Sequence, residues 1–150
     1  MTSYTTLTDS YIASMLFGGA VAPVPSVWYI GLSTTEPTPE SSSFWNFTEP
    51  SAQGGYGRVS VANATANFSL PTTPAPQGAM MANAVSLVFP TSSGAWSNGS
   101  TPLTYFGFFD SPTLSSGNLW MFGLLVPSVT VLAAGIQVGF GPGQIYNQVV

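Results

Sequence analysis

The sequence predicts a mainly β protein, a β-sandwich or jelly-roll-like barrel that carries one short N-terminal helix. Three observations point there. Short apolar runs recur with residue-by-residue alternation, and clusters of Gly, Pro, Asn and Ser separate them at the intervals usual for sandwiches. Only one stretch, near the N-terminus, has helical spacing. At 150 residues the chain has the length of a single domain, enough to bury roughly two thirds of its unfolded surface in one core.

The helical stretch is "LTDSYIASMLFGG", with a helix expected near residues 8–17. Thr8 or Asp9 can cap it, Tyr11, Ile12, Met15 and Leu16 fall on one side, and Gly18-Gly19 supply the stop. "VWYIGLST" follows, and because both of its alternating faces are apolar it reads as a central strand. "TEPTPESSSFWNFTEPSAQGG" then gathers prolines, serines and three of the five acids, the composition of a long surface loop over about 35–55.

From Tyr56 onward strands alternate with punctuation. "RVSVANATANFSLP" sets Val59 and Val61 against Ser60 and Ala62, and "PTTPAPQG" breaks the run. "NAVSLVFP" places Val85, Leu87 and Phe89 on one face, "SSGAWSNGS" turns the chain with Trp96 in the turn, and "LTYFGFFD" is an aromatic strand ending at Asp110. After "SPTLSSG", "NLWMFGLLVP" is a further strand, and "SVTVLAAGIQVGFG" gives a Val129-Val131 arm, an Ala-Ala-Gly turn and an Ile136-Val138-Phe140 arm. No period repeats along the chain, which argues against an array.

Residues 119–140 carry no charge and are long enough to span a bilayer. Pro127 in mid-run, the polar Ser128, Thr130 and Gln137, and the lack of flanking Lys or Arg favour two buried strands joined at a turn, so no membrane insertion is expected. The first twenty residues lack the basic region of an export signal, and none is expected.

Composition narrows the function classes. Charged residues are 4% of the chain, against about 25% in ordinary soluble domains, so polar uncharged side chains and protein partners must cover its apolar surface. A net charge of −4 with a single cation makes nucleic acid a poor partner, since phosphate binding needs several Lys or Arg. There is no Cys, His or Lys, which leaves only carboxylates, hydroxyls and one guanidinium for chemistry. Glu36, Glu40 and Glu49 share one Pro- and Ser-rich loop, a poor platform for two catalytic carboxylates, and no acid-rich run suits calcium. No enzyme activity, catalytic residue, metal or cofactor is expected. The sequons at Asn46, Asn63, Asn67 and Asn98 read as polar surface.

Five pieces then carry a resemblance: "VWYIGLSTTEP", "EPSAQGGYGRVSV", "VSLVFPTSSGAW", "TYFGFFDSPTLSSGNLWMFGLL" and "VLAAGIQVGF", in that order. Together they resemble a family of small tailed-bacteriophage virion proteins labelled tail fibre, minor tail or capsid decoration protein. That family runs from a short helix through a strand and a Pro-bearing turn to an acid followed by Gly-Tyr-x-Arg. A Phe-Pro with a downstream Trp, a strand ending in Asp, Gly-Asn-Leu and a final Ala-Gly hairpin complete it. Two stretches depart from the pattern: "SSSFWNFTEPS" is longer and more aromatic than the usual acid-bearing loop, and "GPGQIYNQVV" extends past the usual end.

The resemblance implies a location on the virion, assembled in the host cytoplasm, and a structural role for the one arginine. Arg58 follows a Gly-Gly-Tyr-Gly turn, and the family's upstream acid corresponds here to Glu49. A guanidinium can hold a carboxylate through two parallel hydrogen bonds, and Asp110, at the end of an aromatic strand, is the other candidate partner.

Two functions follow. The favoured one is a capsid decoration or cement protein that binds itself, as a trimer, and other virion proteins such as the major capsid or tail proteins. The alternative is a tail-fibre or tail-tip protein that reads a host receptor. Either needs contact residues, expected at Tyr4 and Leu7 near the N-terminus, Phe44, Trp45 and Phe47 in the loop, and Ile145 and Tyr146 near the C-terminus.

Overall fold

The structure, a computed structural model, describes residues 2–19, 23–38, 46–69, 79–97 and 101–148. The doubly apolar run forms β2 (Val27–Ser33), which lies between β3 (Val59–Ala62) and β7 (Leu103–Phe109). Beyond β7 come β8 (Leu119–Val129) and β1 (Thr2–Tyr4), completing a five-stranded antiparallel sheet in the order β1-β8-β7-β2-β3. Two smaller antiparallel sheets accompany it. One holds β4 (Phe68–Ser69), β5 (Ala79–Asn83) and β10 (Tyr146–Gln148), with β5 in the middle; the other pairs β6 (Leu87–Val88) with β9 (Gly139–Phe140). The described fold is therefore mainly β, layered like a sandwich, with one short N-terminal helix.

The large sheet is apolar on both faces. Trp28, Ile30 and Leu32 of β2, Phe106 and Phe108 of β7 and Trp120 of β8 join Leu87, Phe89, Val138, Phe140 and Ile145 in the main core. The aromatic rings meet edge-on, with Trp28 5.6 Å from Trp120 and Phe106 5.6 Å from Phe140, the arrangement that ring quadrupoles favour. A second, smaller cluster of Phe109, Leu119 and Phe122 covers the opposite face and is capped by Phe47.

The helix α1 (Thr6–Leu16) starts two residues before the expected position, and neither Thr8 nor Asp9 caps it. Thr5 is the N-cap, but its hydroxyl donates across the molecule to the carbonyls of Leu119 and Trp120 at 2.8 and 3.0 Å. Thr8, inside the helix, donates its hydroxyl to the Trp120 carbonyl as well. The helix ends where the glycines predict: Gly18 takes a left-handed φ of 74°, and the Gly19 N–H closes on the Ser14 carbonyl at 2.8 Å. The expected buried side does not form. Thr8 is buried and Tyr11 packs edge-on to Trp120, whereas Met15 and Leu16 are open to solvent.

Two further expectations change. The described parts of the 35–55 loop, residues 35–38 and 46–55, keep exposed positions but bury Pro37, Phe47, Pro50 and Gly54. The two arms of the C-terminal "hairpin" also pair with residues 87–97 and not with each other. Val131 accepts from the N–H groups of Trp96 and Ser97, Ile136 from Ser92 and Val138 from Phe89, before β9 takes over against β6. Trp96, expected in an open turn, is buried there and donates its indole N–H to the Gly54 carbonyl at 2.7 Å.

Candidate functional site

Two features of the described residues stand out: a buried polar knot around the only cation, and apolar surface that the subunit does not cover. The knot forms because the strand β3 begins just after Arg58 and the chain carrying Glu49 folds back over β2 and β7. Arg58 donates from Nε to Glu49 Oε1 at 2.8 Å and from Nη2 to Glu49 Oε2 at 2.7 Å, a two-point ion pair whose side chains are 0% and 1% exposed. What exposure the two residues keep lies on their backbones. The remaining guanidinium nitrogen donates to the carbonyls of Ser111 and Ser116 at 2.7 and 3.0 Å, and the Phe109 ring lies 3.6 Å below the guanidinium carbon.

Glu49 is satisfied from other sides too, by the Ser115 N–H at 3.1 Å and the Tyr56 hydroxyl at 3.3 Å. That hydroxyl in turn accepts from the Leu32 N–H at 2.7 Å. Burial first, and the Glu49 charge second, push the Tyr56 phenol well above its ordinary range. Asp110, the other expected partner of Arg58, makes its hydrogen bonds elsewhere. It accepts from the Asn118 backbone and side chain, both at 2.7 Å, and from the Trp120 indole at 3.3 Å, closing the 111–117 turn. Chemically the knot is a clamp, since the polar groups described in it bond to other protein groups.

The expected contact residues divide. Phe47 and Ile145 are corrections: each is buried in its own subunit, Phe47 against Phe109 and Ile145 within the main core beside β5. Loop position misled in one case and chain end in the other. Tyr4 and Tyr146 are half-buried and line an apolar pocket of about 280 Å³ with Trp28, Phe108 and Met121. Leu7 is exposed. Phe44 and Trp45 lie outside the described residues.

Side chains that the sequence reading missed form the open apolar surface. Met15, Leu16 and Phe17, at the end of α1, are 58%, 68% and 87% exposed. At the far end of β8, Leu124 and Val126 are 50% and 82% exposed and, with Pro127, form one wall of a cleft of about 480 Å³ whose other wall includes Gly139, Gly143 and Tyr146. The signal available in the sequence was "MLF" ahead of Gly-Gly, three large apolar side chains in succession, which cannot all face one side of a helix.

A family model described as Podophage GP4 fiber I protein gp80 matches residues 3–146. The chain belongs to that family. It is therefore a phage virion structural protein, in a family named for a fibre protein. No curated protein matched the chain. The match runs past the aromatic loop and ends at Tyr146, within "GPGQIYNQVV". Neither apolar patch carries charge: none of the cleft-lining residues, and none of Met15, Leu16 and Phe17, is ionisable apart from the phenol of Tyr146.

Among the described residues no cluster of His, Cys, Asp or Glu could hold a metal ion. No helix among them is long and apolar enough to cross a membrane.

Proposed function

We propose that the chain is a non-enzymatic fibre subunit of a podophage particle, joined to its neighbours through uncharged apolar surface. One observation carries this reading. The subunit spends its single cation and the matching carboxylate inside its own fold, while large apolar side chains stay open at two places on its exterior. A protein so built has no exposed cation with which to grip a partner and much apolar area to cover. Its partners are then other copies of itself, with a trimer as the simplest closed ring, and the particle protein to which the fibre attaches.

Capsid decoration is the second reading, favoured by the low charge content, which suits a subunit covered on many sides. The two differ in place and number. Gold-labelled antibody against the protein, or cryo-electron microscopy of intact particles, should find a small number of copies projecting near the tail. Hundreds of copies spread over the shell would replace the fibre reading with decoration, and unlabelled particles would sink both.

A further inference from the structure

The two open apolar patches lie at different places along one strand. α1 is attached where β8 begins: Thr5 and Thr8 bond the Leu119 and Trp120 carbonyls, and Tyr11 packs on Trp120. The cleft lies where β8 ends. From Trp120 to Pro127 is seven residues, at most about 23 Å at ~3.3 Å per residue. The cleft arises from the sheet's own register. Tyr105 pairs with Leu124 and Leu103 with Val129, so one residue of β7 spans four of β8, and 125–128 bulge off the ladder. Among the described residues β1 pairs with β8 only as far as Gly123, so no described strand pairs with the bulge on that side.

We propose that the end of α1 of one copy, led by Phe17, seats in the β8 cleft of a second copy. This contact rests on the fibre reading and names its partner, another copy of this chain. Phe17 does not occupy its own cleft: it is 87% exposed and is not part of the cleft wall. At about 480 Å³ the cleft lies within the roughly 300–1,000 Å³ of pockets that take a ligand. Charge complementarity is satisfied by neutrality, since a charged partner would leave its charge unpaired against a wall of Leu124, Val126 and Pro127. Two different patches meet, so the contact is heterologous, and repeating it produces either a closed ring or a filament.

Area sets its strength. Three side chains exposed to this degree offer on the order of 400 Å², against ~800 Å² per partner in a stable free-standing complex. One contact is accordingly weak in solution and gains strength by repetition along a fibre.

A chain without cysteine allows a direct test. Ala13→Cys and Ser128→Cys proteins, purified separately, are mixed and treated with a short bismaleimide; both positions are exposed, and Phe17 and the cleft wall stay intact in both variants. Covalent dimers are expected in the mixture and not from either variant alone, with yield rising with concentration. An Ala13→Cys/Ser128→Cys double variant is expected to give a ladder or a closed ring. Dimers of equal yield from one variant alone would replace the contact with a symmetric one. No product in any mixture would overturn it. Particle labelling separates the two claims: labelled virions without cross-links remove this contact and leave the fibre reading, and cross-links with unlabelled virions do the reverse.

Discussion

Arg58 brings charge, hydrogen-bond donors and a flat face to one point, and four donations are made: two nitrogens give one each to Glu49, the third gives to two carbonyls, and the plane lies on Phe109. Replacing it with Ala would strand the Glu49 carboxylate in a site with 1% side-chain exposure. Arg58→Ala is expected to lower stability by about 3–5 kcal/mol, seen as an earlier denaturant midpoint with an unchanged slope. Removing Glu49 at the same time would not restore the loss, because the Ser111 and Ser116 carbonyls and the Leu32–Tyr56 pair depend on the same knot. Tyr56 adds a pH dependence whose sign is fixed. Its phenol is held protonated in the fold above the ordinary value of about 10, so the unfolded chain gives up the proton first. That contribution is full below pH ~10 and disappears as pH rises through the folded-state value. Thermal melts of the parent protein should fall more steeply than those of Tyr56→Phe above pH ~10. Near neutrality that variant should be less stable by about 1–3 kcal/mol, because the buried Leu32 N–H loses its acceptor.

At the scale of elements, the strands that alternate cleanly were legible, and those held by long-range partners were not. Val59 to Ala62, the β2 run and the aromatic β7 follow from period-two patterning alone. The C-terminal arms, by contrast, look like a hairpin because local spacing cannot show that residues 87–97 compete for both of them. Helix α1 was readable in extent but not in orientation. Which side is buried depends on where the Thr5 and Thr8 hydroxyls find carbonyls, and those belong to Leu119 and Trp120, more than a hundred residues away. Phe47 was misplaced for a similar reason, yet a signal existed. Gly31 and Gly107 sit in the middle of two apolar strands, where glycine marks a close approach, and they are cross-strand partners. A Cβ at Gly107 would meet Phe47 at 2.7 Å and Leu119 at 2.6 Å, and one at Gly31 would meet the Glu49 carboxylate at 2.6 Å. The pair is the floor on which Phe47 and Glu49 rest. Gly107→Ala is therefore expected to destabilise by about 1–3 kcal/mol through overpacking. Its effect should be sub-additive with Phe47→Ala, which removes the ring that the new methyl strikes, in a double-mutant cycle read by chemical denaturation.

On the scale of the whole molecule, 4% charged residues and a buried only cation leave association to apolar area and hydrogen bonds. Composition made that much legible. It could not say where the open area lies, because exposure at Phe17 or Val126 follows from how α1 docks and how β8 bulges, both set by distant pairing. The response to salt follows from the same deficit. At about 1 M NaCl the Debye length shrinks to ~3 Å, which weakens complexes held by surface charge. An uncharged interface gives salt nothing to screen, and excluded salts such as sulfate strengthen burial. Sedimentation velocity across a salt series should thus show an average mass that holds steady in NaCl and rises in sodium sulfate. With a net charge of only −4 and 150 residues per subunit, repulsion between copies is too small to reverse that trend. Dissociation by NaCl would mean that Asp9, Glu36 or another exposed acid anchors the contact, and apolar assembly would have to be abandoned.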